Sequence, residues 1–216
     1  MLYLSLSACI CILHGGLIQR KRTESWVQYS ADISLYQERN EVGIKKTRLD
    51  EKIAILGLGN ILLQDEGIGV RAIEALKKDF IFPNNLQLID GGTMGLDLIS
   101  FIEGMDKILI IDAVNIKKEP GTIVVIEDEE IPSFISTKLS VHQIAFPDVL
   151  SALKLLGIKP ATMILIGIQP ENIETGLNMS EAMNKSFDRL IKTVIKRLKE
   201  WGVEVKRKKS QVEAKV

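Results

Sequence analysis

The sequence predicts a three-layer α/β fold in which a twisted, mostly parallel central sheet of about five strands is flanked by helices. Three observations carry this expectation. Uninterrupted apolar runs such as Ile53-Ala54-Ile55-Leu56 and Ile108-Leu109-Ile110-Ile111 have the length and branching of strands buried on both faces. Segments between such runs place apolar residues three and four positions apart, the spacing of an amphipathic helix. Strand and helix also alternate along the chain, as right-handed crossovers between parallel strands require.

Taken in order, Lys52 begins the first strand, which ends in the glycines of Gly57-Leu58-Gly59. Glu66–Asp79 then reads as a helix through Val70, Ile73, Leu76 and Phe80, with Asp65 as its expected N-cap. Leu86–Ile89 is a second strand running into Asp90-Gly91-Gly92-Thr93, and Leu96–Phe101 is helical until Gly104 interrupts it. Lys107–Ile111 is a third strand ending at Asp112, and Thr122–Ile126 a fourth, entered through the Pro120-Gly121 turn. An acidic loop from Glu127 to Glu130 leads through Pro132 toward His142, and Pro147 suits the first turn of a helix that Gly157 ends. Thr162–Ile168 is a further buried strand, followed by a loop from Gln169 to Asn178. The last helix, capped by Ser180, carries Met183, Phe187, Leu190, Ile191, Val194, Ile195, Leu198 and Trp201 as a core-packing stripe.

One folded domain, residues 52–205, is expected within the 216 residues, preceded by a poorly ordered extension over 1–51 and followed by a charged tail over 206–216. The extension is read as a leader or as the product of a start codon placed too early. Its apolar stretch Met1–Leu13 is shorter than a bilayer span, and the basic Lys21 and Arg22 follow it rather than precede it, the reverse of a secretory signal. Lys and Arg total 28, as do Asp and Glu, so the neutral chain has no electrostatic reason to bind nucleic acid. Its two cysteines, Cys9 and Cys11, rule out a disulfide framework and a four-thiolate zinc site. A cytoplasmic monomer without membrane contact is the resulting expectation.

In a parallel sheet, ligands bind beyond the carboxyl ends of the strands, so polar residues placed there are the candidates for chemistry. Glu66 follows the first strand, Asp90 the second and Asp112 the third. A lone aspartate in such a place is more often a turn former or a cap, but three carboxylates in equivalent places are harder to assign to turns alone. His142, the one histidine of the folded domain, lies in a polar approach to a helix. Joined with Glu66 and Asp112 it would give one imidazole and two carboxylates, donors suited to nickel or zinc with a coordination position left open. The glycines after the first strand invite a dinucleotide-binding reading, but position 62 is Leu where that fingerprint needs glycine. Gly-x-Ser-x-Gly and His-Glu-x-x-His are both absent.

Read in order, four blocks resemble the hydrogenase maturation endopeptidases: Gly57-Leu58-Gly59-Asn60-Ile61-Leu62-Leu63-Gln64-Asp65-Glu66-Gly67-Ile68-Gly69-Val70, Asp90-Gly91-Gly92-Thr93, Asp112-Ala113 and Ser140-Val141-His142-Gln143. The likeness runs from Lys52 to the end of the last helix. It implies a protease that removes a C-terminal extension from the large-subunit precursor of a nickel-iron hydrogenase after nickel insertion. It implies metal contact by Glu66, Asp112 and His142, and a supporting or catalytic role for Asp90. The metal would be nickel carried by the precursor, with Asp90 or Asp112 as candidate base, so that the enzyme is of aspartic type and metal-dependent. Either the metal or a carboxylate could polarise the carbonyl or activate water. Two other classes stay open at this point: a noncatalytic nickel-binding chaperone on the same fold, and a Rossmann-like nucleotide-binding protein.

Overall fold

The computed structural model describes residues 50–131 and 145–208, all within the compact unit Lys46–Val216. The extension expected over 1–51 therefore lies outside the described residues except at Asp50 and Glu51, and so does His142. Strands are β1 (Ile53–Leu58), β2 (Phe80–Ile81), β3 (Leu86–Gly92), β4 (Lys107–Ala113), β5 (Ile123–Glu127), β6 (Thr162–Ile168) and β7 (Lys206–Arg207). Helices are α1 (Ile68–Asp79), α2 (Ile99–Ile102), α3 (Ala145–Leu155) and α4 (Glu181–Glu200), with single 3-10 turns at Gln64–Gly67, Gly95–Leu98 and Asp128–Glu130.

Five strands form the main sheet in the order β3-β1-β4-β6-β5. Its pairings are parallel except the last, where β5 runs antiparallel along β6, so the expected mostly parallel sheet is present. Alternation along each strand divides the core between the two sheet faces. Ile53, Ile55, Leu109, Ile111, Ile164 and Ile166 point to the face covered by α1 and α4, where the α4 stripe buries Met183, Leu190, Val194 and Leu198. Ala54, Leu56, Ile108, Ile110 and Leu165 point to the other, where Ile102, Phe146, Val149 and Leu153 pack from α2 and α3. Both faces are thus closed, which is why β1 is buried along its whole length.

Local signals hold at several ends. The Ser180 hydroxyl accepts from the backbone N–H of Met183 at 3.2 Å and caps α4. Gly157, at φ +69°, takes the left-handed conformation that ends α3. Other expectations change. The helix expected from Glu66 starts at Ile68, because Gln64–Gly67 forms a tighter 3-10 turn. Lys206 and Arg207, expected in a frayed tail, pair antiparallel with Ile81 and Phe80. Lys208 extends that contact by donating its backbone N–H to the carbonyl of Asp79 at 2.7 Å. The two-residue length of β2 and β7 gives no sequence period to detect.

The chain leaves β1 through α1 toward β3 on one side, then crosses back to β4 on the other side of β1. The carboxyl ends of β1 and β4 are therefore neighbours whose outgoing connections diverge, which opens a crevice between them. Glycine lets α1 sit directly on that point. A Cβ on Gly57 would lie 2.3 Å from the carbonyl oxygen of Gly69, and one on Gly69 would lie 2.3 Å from those of Ile111 and Leu58. Backbone stands against backbone at both positions, so no side chain could move aside. Gly57→Ala should lower stability by about 3 kcal/mol, the upper end of overpacking costs, and Tm by roughly 6–12 °C. Thermal unfolding followed by circular dichroism checks this, and an unchanged Tm would mean that helix and strand are not held this closely.

Candidate functional site

At the divergence of β1 and β4 the sequence places two of its candidate carboxylates. Glu66 lies in the 3-10 turn between β1 and α1, and Asp112 is the penultimate residue of β4. Both are buried, each at 1% exposure, whereas most acidic side chains of a protein face water. The Gln64–Gly67 turn packs against β4, and the Gly69 contact with Ile111 brings the start of α1 to the residue before Asp112. The two carboxylates therefore share one end of the sheet on adjoining elements.

Asp90 is placed differently. It stands opposite Gly57 in the β1–β3 register, and Gly57 stands opposite Ile111 in the β1–β4 register. Two strand spacings, about 10 Å between backbones, separate Asp90 from β4. Its side chain is exposed rather than buried with the other two. His142 lies outside the described residues, but Ala145, three positions later, opens α3 at the same carboxyl edge, since α3 must run down the sheet to feed the parallel strand β6. Among the described residues no group of three His, Cys, Asp or Glu side chains is placed to hold a metal ion. Glu66 and Asp112 are the buried candidates for oxygen donors to one.

Asp65 has a role the sequence did not suggest. It caps no helix: Gly67 occupies the N-cap position of α1, without a side-chain bond. Its carboxylate is fully buried and accepts three backbone N–H groups of the loop after β6. Oδ2 takes those of Glu171 and Asn172, both at 3.0 Å, and Oδ1 takes that of Ser180 at 2.7 Å. The loop is therefore fastened to the turn that carries Glu66. Backbone pairing supports the same junction, Gly176 donating to Leu62 at 2.8 Å and Gln64 to Gly176 at 2.9 Å. Gln64 adopts φ +47° to make that turn, and a Cβ on Gly176 would press on its side chain at 2.8 Å.

A second missed residue holds the other side. Buried Gln169, just past β6, accepts the backbone N–H of Ile116 at 2.8 Å and donates to the carbonyl of Pro170 at 3.1 Å. This fixes the loop that follows Asp112. The glycines once open to a nucleotide reading have a steric purpose instead: a Cβ on Gly59, at φ +117°, would lie 1.8 Å from the carbonyl oxygen of Glu66. They let the Glu66 turn fold back onto β1.

Comparison with known proteins identifies the group to which this arrangement belongs. A hydrogenase maturation protease family profile matches residues 70–197. Hydrogenase 2 maturation protease of Escherichia coli K12 is 40% identical over 154 residues, covering 71% of this chain and 94% of that protein. The chain belongs to the hydrogenase maturation protease family. It is accordingly a hydrolase that cuts peptide bonds. The hydrogenase expression/formation protein HupD of Rhodobacter capsulatus is 39% identical over 157 residues, with 72% of this chain and 75% of that one covered. Among solved structures, the hydrogenase maturating endopeptidase HybD from E. coli superposes with a TM-score of 0.69 at 39% identity, over 73% of this chain and 98% of that one. The [NiFe] hydrogenase maturation protease HybD from Thermococcus kodakarensis does so with a TM-score of 0.58 at 28% identity, over 68% and 98%. The three-layer fold is shared with these family members.

Replacing Asp65 by Ala should leave three backbone donors without their acceptor and cost about 3 kcal/mol. The local sign is more specific. Amide hydrogen exchange at Glu171, Asn172 and Ser180 should accelerate at least ~10-fold more than in the α4 interior, because the loop would open ahead of global unfolding. Equal acceleration throughout would contradict a local clamp.

Proposed function

We propose that this protease removes a C-terminal extension from the large-subunit precursor of a nickel-iron hydrogenase once nickel is in place, contacting that nickel through Glu66, Asp112 and His142. The observation that supports the reading is the burial of Glu66 and Asp112 together at the diverging ends of β1 and β4. Two carboxylates are costly to bury unless a cation, donors or protons compensate them, and an arriving divalent metal would be such a cation. His142, in the approach to α3, would complete the set with one imidazole, and donors of this mixture favour nickel or zinc over calcium or magnesium. In this account the nickel belongs to the substrate, so the site reads whether the precursor has been loaded. Specificity then comes from a ligation that empty precursor cannot offer.

Hydrolysis adds water across the scissile peptide: a C–O bond forms, the C–N bond breaks, and the leaving nitrogen takes a proton. Asp90, exposed at the end of β3, and Asp112, beside the metal position, are the two candidate bases. Asp90 is the better placed to exchange protons with solvent, while Asp112 would be engaged by the metal. Action in the cytoplasm as a monomer completes the reading. No helix of the described residues is long and apolar enough to cross a membrane.

The test is processing of purified precursor with and without nickel. Wild-type protein should shorten the loaded form and leave the empty form intact. Glu66→Gln, Asp112→Asn and His142→Ala should each slow processing by more than the ~100-fold that loss of a metal ligand's outer partner reaches. Tm should stay within a few degrees. Equal cleavage of loaded and empty precursor would remove nickel recognition from the account. Asp90→Asn should lower kcat with little change in KM if Asp90 is the base.

A further inference from the structure

β3 is an edge strand of the main sheet, with β1 as its one neighbour in the order β3-β1-β4-β6-β5. Along such a strand the main-chain groups of successive residues point alternately toward the neighbour and away from it. Ile53 donates to the carbonyl of Asn85 at 2.9 Å, so Asn85, Gln87 and Ile89 turn toward β1, and Leu86, Leu88 and Asp90 turn away. The carbonyl of Pro83 takes the N–H of Leu86 at 3.1 Å. The C=O of Leu86 and both main-chain groups of Leu88 and of Asp90 have no hydrogen-bond partner among the described residues.

This row of free groups ends at a candidate base. The β1–β3 pairing slips between Gly57 and Leu58, where Gly59 donates to Gly92 at 3.0 Å and Gly91 is the extra residue of a bulge. A bulge re-aims a neighbouring side chain or ends a pairing, and Asp90 is the residue before it. A Cβ on Gly92, at φ +39°, would lie 3.5 Å from Asp90 Oδ1 and 3.9 Å from the carbonyl oxygen of Gly59. The Asp90 carboxylate therefore reaches toward the carboxyl end of the sheet, past the last of the free main-chain groups. Leu86–Gly92 contains no lysine or proline, the residues that commonly guard an exposed edge. The other edge strand, β5, carries none of the candidate residues, and because it runs antiparallel to β6 it ends at the opposite end of the sheet.

We propose that the free edge of β3 is the rail for the segment that is cut: an extended stretch of the precursor pairs with Leu86, Leu88 and Asp90, which delivers its scissile bond to the Asp90 carboxylate. Main-chain donors and acceptors at this alternating spacing are matched by another extended main chain, and a helix, whose own groups are paired within it, offers no such match. A chain held there in register presents one peptide bond to one carboxylate, the positioning that hydrolysis needs. Pairing of this kind reads little side-chain identity, so the choice of precursor falls to the metal contact. The inference rests on the proposed processing activity, and it adds where the cleaved segment lies and what holds it.

The experiment uses the full chain and nickel-loaded large-subunit precursor of a nickel-iron hydrogenase. Proline removes a donor but is tolerated on an edge strand where the N–H points away from the sheet. Leu88→Pro is therefore compared with Leu88→Ala, which also loses the partly buried side chain but keeps the N–H. Leu88→Pro should raise KM and weaken precursor binding at least ~5-fold beyond Leu88→Ala, the effect of about one main-chain hydrogen bond, with kcat at saturation within about two-fold. A second arm leaves this protein unchanged and places proline at successive positions around the cleavage point of the precursor. Binding to wild type should weaken at every second position, because alternate N–H groups of the bound segment face β3. If wild type processes the precursor, Leu88→Pro matches Leu88→Ala and the proline series shows no alternation, the rail is wrong and the proposed activity stands. If wild type binds the precursor without shortening it, the activity fails while the alternation still decides the rail. If sedimentation shows wild type to be a dimer that Leu88→Pro dissociates with no loss of precursor affinity, the edge joins two copies of this chain and the proposal is overturned.

Discussion

A single carboxylate holds the carboxyl edge of this sheet together. Asp65 lies in the turn after β1, yet its partners lie more than a hundred residues later in the chain, at Glu171, Asn172 and Ser180. Three N–H donors compensate a charge that burial alone would make costly. The clamp fixes three things at once: the turn bearing Glu66, the loop bearing Leu177, and the entry to α4. Ser180 shows the economy of the junction, since its N–H is held by Asp65 while its hydroxyl caps the helix.

Close backbone approach is the second constraint, and it works on the same turn. Gly57 and Gly69 let α1 touch β1 and β4 without intervening side chains, and Gly59 lets the chain fold back over the end of β1. A glycine-rich turn after the first strand of a parallel sheet can serve a phosphate, or it can bring a helix down onto the strands. Here the second use accounts for all three glycines. The acidic pair Asp65-Glu66 is split between two places: the first residue binds the loop after β6, and the second is buried where β1 and β4 diverge.

Much of this was legible in the sequence because burial on both faces leaves unbroken apolar runs, and because the α4 stripe repeats through twenty residues. Position after strands picked out Glu66, Asp90 and Asp112 together, and only the motif blocks then separated Glu66 and Asp112 as the expected metal contacts. Asp65 was not among them, since an aspartate before a helix looks like a cap whatever its side chain reaches. Gln169 was equally hidden, as its bond to Ile116 joins loops more than fifty residues apart. Asp90 was grouped with the other carboxylates by topology, but its position two strands from β4 and its exposure set it apart.

The proposed account places the precursor's metal at the buried carboxylates of Glu66 and Asp112, where β1 and β4 diverge. Its central claim is that nickel held by the precursor meets Glu66. X-ray absorption at the nickel edge of loaded precursor, recorded alone, with this protein, and with the Glu66→Gln variant, tests that claim most directly. The account predicts that the wild-type protein adds oxygen or nitrogen neighbours to the nickel shell and that Glu66→Gln adds fewer. Identical spectra for the precursor alone and in complex with the wild-type protein would contradict it.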